Sequence, residues 1–255
     1  MQNTVLITGA TSGIGLATAR LFAQNHDRII LCGRRQDRLE AIRSDLELIN
    51  PGNTYLLCFD IRNYSEVEKA INSLPDEWSA VDILINNAGL AKGFHPIHEG
   101  HLQDWETMID TNLKGLLYVT RLISPDMVAR QKGHIINVCS TAGHEVYPNG
   151  NVYSATKFAV QALTKSIRLD LYKTGVKVSQ VSPGHVEETE FALVRFEGDK
   201  EKASIYNDFT PLNARDVADS IYYIASRPAH VNIQEILIMS SQQAGSNFID
   251  RSGRK

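Results

Sequence analysis

The sequence predicts an α/β domain, a doubly wound seven-stranded parallel sheet with helices on both faces. Three observations predict it. Seven short apolar runs rich in β-branched residues alternate with helical patterns along the chain. The first run leads directly into a glycine-rich loop and then a helix. The 255 residues, 43% of them hydrophobic, suit a single domain over 1–255 with a large core. No linker, internal repeat or low-complexity segment divides them.

The first strand is Thr4 to Thr8, TVLIT. GATSGIG follows, with Gly9, Ala10, Thr11, Ser12, Gly13, Ile14 and Gly15, and then the apolar-periodic LATARLFAQN. Strand, glycine loop and helix form the opening of a Rossmann-type dinucleotide unit. Glycines let the backbone approach a pyrophosphate, and the helix N-terminus offers unpaired N–H groups and positive dipole. A tight turn would use the same glycines. No Gly-Lys-Ser/Thr follows, which excludes an NTPase phosphate loop.

The second strand, Arg28 to Cys32, ends in Gly33-Arg34-Arg35 rather than in an acid. A carboxylate there would hold a ribose 2′-hydroxyl, whereas two guanidiniums suit a 2′-phosphate, so the strand end favours NADP over NAD. Residues 36–49 are an amphipathic helix ended by Asn50-Pro51-Gly52. Thr54 to Phe59 is the third strand and ends at Asp60, which either accepts from an adenine amino group or caps the next loop. Ser65 to Glu68 has the form of a capping box opening a helix to Leu74.

Val81 to Asn86 is the fourth strand. Small residues in Asn87-Ala88-Gly89 let backbone lie close to a ribose or nicotinamide. Residues 101–131 carry one long helical pattern with Asn112 inside it, where an Asn is mildly unfavourable unless it holds something. The fifth strand runs to Ser140, and the next helix to about Lys173. On that helix Ala155, Ala159, Ala162 and Ser166 form a small-residue stripe, suited to packing on the sheet or on another subunit. Val176 to Val181 is the sixth strand, followed by Ser182-Pro183-Gly184. The polar segment from His185 to about Asp208 is long enough to be an active-site lid. A helix from Ala214 to Ser226 and a strand from Ile233 to Met239 follow, and the tail from Gln242 is expected to be partly disordered.

The bulk numbers exclude several classes. A net charge of −3 and no strong basic run before the terminal RSGRK argue against nucleic-acid binding. No leader pattern and no apolar run near the length of a membrane span occur, so a soluble cytoplasmic protein is expected. The three cysteines, Cys32, Cys58 and Cys139, lack C-x-x-C spacing and are expected to be buried reduced thiols. No metal-ligand cluster is apparent, and no metal is expected.

Chemistry concentrates between Ser140 and Lys157. Tyr153 and Lys157 lie four residues apart, one turn apart on one helix face. A free tyrosine titrates near ~10. A lysine cation about 4 Å away contributes roughly 4 kcal/mol at an effective dielectric near 20, about three pKa units, which brings the phenol near 7. Ser140 would hydrogen-bond the substrate oxygen and hold it against the phenol. Taken alone, the Tyr–Lys spacing occurs on many amphipathic helices.

TGATSGIG, the Asn86 to Gly89 run NNAG, Asn112, Ser140, the Tyr153/Lys157 pair and Pro183-Gly184 occur in that order over nearly the whole chain. Together they resemble the short-chain dehydrogenase/reductase family. The resemblance implies Tyr153 as acid/base, Lys157 as the group that lowers its pKa and binds the nicotinamide ribose, Ser140 as the substrate orienter and Asn112 in a proton relay. GRRQDRL, LPDEW, DILINNAGLA, DWETMIDTN, TEFALVRFEGD and PAHVNI look more narrowly like the NADP-dependent 3-hydroxy acid dehydrogenases, which oxidise serine, allo-threonine and small 3-hydroxy acids. That group includes 3-oxo acid reductases, and a sister group reduces sulfoacetaldehyde. The resemblance implies nucleotide contacts from Gly9 to Ile14, Arg34, Arg35, Asp60, Ile61, Asn87, Tyr153, Lys157 and the segment from Pro183 to Phe191, which includes Gly184, Val186 and Thr189. It also implies a small-molecule substrate and a homotetramer. A non-catalytic nucleotide-binding protein is the reading of another class, and the presence of both Tyr153 and Lys157 counts against it.

The chain departs from that group at His144-Glu145-Val146 and at Glu187-Glu188. These acids either approach the substrate or face solvent. Arg195 either pairs a substrate acid group or is a solvated lid arginine.

Overall fold

The computed structural model describes residues 2–187, 189–199, 201 and 208–253. Its seven strands are β1 (Thr4–Thr8), β2 (Arg28–Gly33), β3 (Thr54–Cys58), β4 (Ile83–Asn86), β5 (Gly133–Val138), β6 (Val176–Pro183) and β7 (Glu235–Ile238). They form one sheet in the order β3-β2-β1-β4-β5-β6-β7. Every pairing is parallel. The helices are α1 (Gly13–Gln24), α2 (Gln36–Ile49), α3 (Tyr64–Asn72), the four-residue α4 (Asp76–Ser79), α5 (Leu102–Ile109), α6 (Leu116–Ala129), α7 (Asn151–Leu171), α8 (Phe191–Arg195) and α9 (Ala214–Ala225).

The strands read as continuous apolar runs because both sheet faces are covered. Side chains alternate between faces. Val5, Ile7, Ile29, Leu31, Ile83 and Ile85 pack with Phe22, Leu39, Val217 and Ile221, residues of α1, α2 and α9. Leu6, Ile30, Leu84, Ile135 and Val178 pack on the other face with Val67, Ile71, Val119, Ile123 and Met127 of α3 and α6. Strand order reverses between β1 and β4, and such a switch point opens a crevice at the strands' carboxyl ends.

Five local expectations are corrected or narrowed. The single helical pattern over 101–131 is two α-helices joined by a π-helical turn, Asp110–Gly115, which holds Asn112. Hydrophobic periodicity does not register the wider turn. The α3 cap is Asn63, whose side chain accepts from the N–H groups of Ser65 and Glu66, rather than a box beginning at Ser65. The small-residue stripe of α7 does not pack on the sheet: Tyr153, Thr156, Lys157, Val160 and Thr164 form the buried face, and Ala155, Ala162 and Ser166 are exposed. The described tail, residues 242–253, is folded back on itself, with Gln243 bridging Ile249 antiparallel and Ala244 N–H donating to the Phe248 carbonyl at 2.8 Å. Cys32 and Cys139 are buried, but Cys58, at the end of β3, is exposed.

Candidate active site

A cleft of about 600 Å³ opens at the switch point. One end is built by the loop after β1. Gly9 and Gly13 have φ of +67° and +51°, the left-handed region that favours glycine. A Cβ at Gly15 would meet the Gly9 carbonyl and lie 2.6 Å from Asn87 Nδ2, so α1 starts hard against the loop. Ser12, the residue before α1, makes no side-chain cap. The first N–H groups of α1 are thereby left to whatever enters the cleft, which suits an anionic phosphate. Thr8 ties the second loop to the first: its Oγ1 accepts from the N–H groups of Asn87 at 3.1 Å and Ala88 at 3.0 Å.

Arg34 and Arg35 line the same end. Arg34 is 58% exposed and stands 3.9 Å from Asp60. Arg35 donates to Thr11 Oγ1 at 2.8 Å and to Glu190 at 2.9 Å. Asp60 caps the loop: it accepts from the Arg62 backbone at 3.0 Å and from the Arg62 guanidinium at 2.6 Å. Those Arg62 bonds hold its carboxyl below the usual range against the opposing effect of burial.

Ser140, Tyr153 and Lys157 meet at the other end. Tyr153 is buried, and burial pushes its phenol up to about 12, opposed by a hydrogen bond with Ser140 and the charge of Arg195. Lys157 Nζ donates to the Val138 carbonyl at 3.0 Å and lies 5.9 Å from the Tyr153 ring centroid. The expectation that Lys157 brings the phenol near neutrality is therefore corrected. Helical spacing gives the shared face, but the ammonium is turned to a strand-end carbonyl, and burial lowers its own pKa.

Most of the residues singled out in the sequence line this one cleft: Gly9, Thr11, Ser12, Gly13, Ile14, Arg34, Arg35, Asp60, Ile61, Asn87, Ala88, Gly89, Ser140, Tyr153, Lys157, Pro183, Gly184, Val186 and Thr189. Three do not. Ala10 is fully buried in the core, Gly15 lies behind the loop, and Asn112 sits behind Leu90. Asn112 Oδ1 accepts from Leu90 N–H at 2.8 Å, and its Nδ2 donates to the Leu90 carbonyl at 2.8 Å and Thr156 Oγ1 at 3.1 Å. It anchors a wall of the cleft from the π-helical turn.

Arg195 is not a solvated lid arginine. It is 8% exposed, lines the cleft, donates to Tyr147 Oη at 2.9 Å and stands over the rings of Phe94, Tyr147 and Tyr153. Its Nε has no partner among the described residues. Tyr147, Phe94 and Phe196 were not singled out from sequence. Their aromatic character in polar loops was the available signal. Glu145 and Glu187 do not line the cleft. Glu145 accepts from Ser246 N–H at 2.8 Å and so fastens the tail, whose Ser246 and Asn247 form part of the cleft wall. Glu188 lies outside the described residues. Cys139, beside Ser140, donates to the Lys157 carbonyl, and burial raises its pKa, which argues against a nucleophile.

This fold and site define a short-chain dehydrogenase. Residues 3–199 match the model of that family, described as short chain dehydrogenase, and the chain belongs to it. Among named relatives, the NADP-dependent 3-hydroxy acid dehydrogenase of Salmonella typhi is 46% identical over 94% of this chain and 96% of its own. Serine 3-dehydrogenase of Agrobacterium fabrum is 43% identical over 97% of this chain and 98% of its own. The solved closed form of a serine dehydrogenase complexed with NADP+ superposes with a TM-score of 0.91 at 46% identity, covering 94% of this chain and 96% of that one. Among the described residues no helix is long and apolar enough to cross a membrane, and no group of His, Cys, Asp or Glu could hold a metal ion.

Proposed function

We propose that the protein is an NADP(H)-dependent oxidoreductase acting at the 3-carbon of a small 3-hydroxy or 3-oxo acid. Arg195 carries the acid part of this reading. A buried guanidinium needs an anion or several acceptors, and among the described residues it has one phenol hydroxyl and three aromatic faces. A substrate carboxylate would give it the missing charge-assisted bonds beside Tyr153. The names of the relatives support the same substrate class.

Bound nicotinamide supplies the acceptor or donor of the hydride. The glycine loop and the α1 N-terminus would hold the pyrophosphate, Arg34 and Arg35 the 2′-phosphate, and Lys157 the nicotinamide ribose. Ser140 holds the substrate oxygen against Tyr153. In reduction the neutral phenol gives its proton to the carbonyl oxygen, and in oxidation the phenolate takes the hydroxyl proton. With the phenol pushed up to about 12, its acid form, the proton donor for reduction, dominates at neutral pH. Asn112 keeps the Leu90 wall in place. The exposed small-residue face of α7 supports assembly as a homotetramer, which sedimentation would test. Three unpaired cysteines support a reducing cytoplasmic location.

The test is NADPH absorbance with L-serine, L-allo-threonine, 3-hydroxypropionate and 2-propanol, and with sulfoacetaldehyde in reverse. Turnover of the hydroxy acids but not of 2-propanol is expected. Turnover of 2-propanol alone would overturn the acid reading, and turnover of sulfoacetaldehyde alone would move it to sulfonates.

A further inference from the structure

The guanidiniums at the nucleotide end of the cleft already hold an anion of the protein's own. Glu190, the residue before α8, accepts from Arg35 Nη1 at 2.9 and 3.2 Å and also from Arg38 Nη1. The partners lie 155 and 152 residues apart in the chain, so Glu190 joins the start of α8 to the start of α2. Arg35 is further fixed by Thr11 at 2.8 Å, and its second contact, to Ser12, is 3.5 Å. Both Arg35 and Glu190 line the cleft. Burial opposes the charge on Glu190, but the bonds from Arg38 and Arg35 outweigh it and hold the carboxyl below its usual range. At neutral pH it is therefore an anion.

A carboxylate and a phosphate monoester seek the same planar fork of donors. Glu190 consumes Nη1 of Arg35 and of Arg38. Arg34, more exposed and 3.9 Å from Asp60, is the less committed cation. A 2′-phosphate placed against Arg35 must share the fork with Glu190 or displace it, and meets its negative charge in either case. A nucleotide without that phosphate meets no such competition.

We propose that Glu190 is a cofactor-discriminating residue, whose carboxylate, steadied by Arg38, competes with the 2′-phosphate of NADP(H) for Arg35 and so limits the preference for the phosphorylated nucleotide. The inference rests on the NADP(H) reading above and concerns binding alone, independent of the substrate. It differs from a role for Glu190 as a strut under the nucleotide, which would make the carboxylate necessary for affinity.

The test is equilibrium titration of the full chain with NADPH, NADH, 2′,5′-ADP and 5′-AMP, wild type against Glu190→Gln. The amide keeps the shape and removes the charge. NADPH and 2′,5′-ADP are expected to bind about tenfold tighter to the variant, a typical worth of one charge-assisted contact, with NADH and 5′-AMP changed less than about twofold. Weaker binding of 2′,5′-ADP would overturn the inference in favour of the strut. An equal change for both nucleotide classes, or no change in either, would also overturn it. A wild type indifferent to the 2′-phosphate would overturn the cofactor reading and this inference with it.

Discussion

The guanidinium of Arg195 donates to the hydroxyl of Tyr147 at 2.9 Å, inside a wall of aromatic rings. Among the described residues that hydroxyl is the one hydrogen-bond partner of the guanidinium, which marks Arg195 as a receptor with capacity to spare. Arg195→Gln is expected to raise KM for hydroxy acids about 10–100-fold, the worth of one or two charge-assisted hydrogen bonds. Affinity for NADPH should change little. Steady-state kinetics beside a nucleotide titration checks this, and an unchanged KM would remove Arg195 from substrate binding.

Tyr153, with its phenol pushed up to about 12, makes oxidation depend on a scarce phenolate. The kcat/KM for hydroxy acid oxidation is therefore expected to climb with pH across the neutral and mildly alkaline range, while reduction stays flat or falls. Tyr153→Phe should lose about 10²–10⁴ in rate, the usual contribution of a placed acid/base, and keep nucleotide affinity. A flat oxidation profile would show that proton transfer does not limit the reaction.

Asn112 satisfies both backbone groups of Leu90 from the π-helical turn. Asn112→Ala leaves a part-buried N–H and carbonyl of Leu90 short of partners, a cost of about 1 kcal/mol. Chemical denaturation should show that loss, and kcat should fall more than nucleotide affinity because the Leu90 wall flanks the substrate end. A variant with wild-type stability would mean that Leu90 finds other partners.

His134 is buried beside Ser179, 2.8 Å from its Oγ, and burial lowers its pKa to about 3. The unfolded chain takes up this proton below about 6.5, and the folded chain only near 3. Between those limits the unfolded state binds more protons, so the contribution to stability is full above pH 6.5 and is lost as pH falls. His134→Gln, which cannot be protonated there, is expected to flatten the stability curve between about pH 6.5 and 4 relative to wild type. Urea midpoints across that window measure it, and parallel curves would refute it.

Arg34 and Arg35 replaced together by Ser should shift nucleotide preference toward NAD(H), by about 1–3 kcal/mol per lost charged contact. Ratios of Kd for 2′,5′-ADP and 5′-AMP isolate the phosphate from the rest of the nucleotide. An unchanged ratio would place the 2′-phosphate elsewhere.

The chain by itself determined what depends on short range. Apolar β-branched runs laid down all seven strands, with β7 read longer at both ends than the Glu235–Ile238 that pairs with β6. The glycines of the first loop and the Tyr153–Lys157 spacing are set by one turn or one helical repeat, so their geometry is legible in the residues themselves. Tertiary structure alone decided the rest. Arg195 meets Tyr147 across 48 residues, Glu190 meets Arg35 across 155, and Glu145 meets Ser246 across 101. No fixed offset announces such pairs, because the parallel sheet and its crossovers bring them together. The direction of Lys157 was likewise decided by the Val138 carbonyl at the end of β5. Helical spacing places a side chain on a face, whereas the nearest unsatisfied acceptor determines where its charge comes to rest.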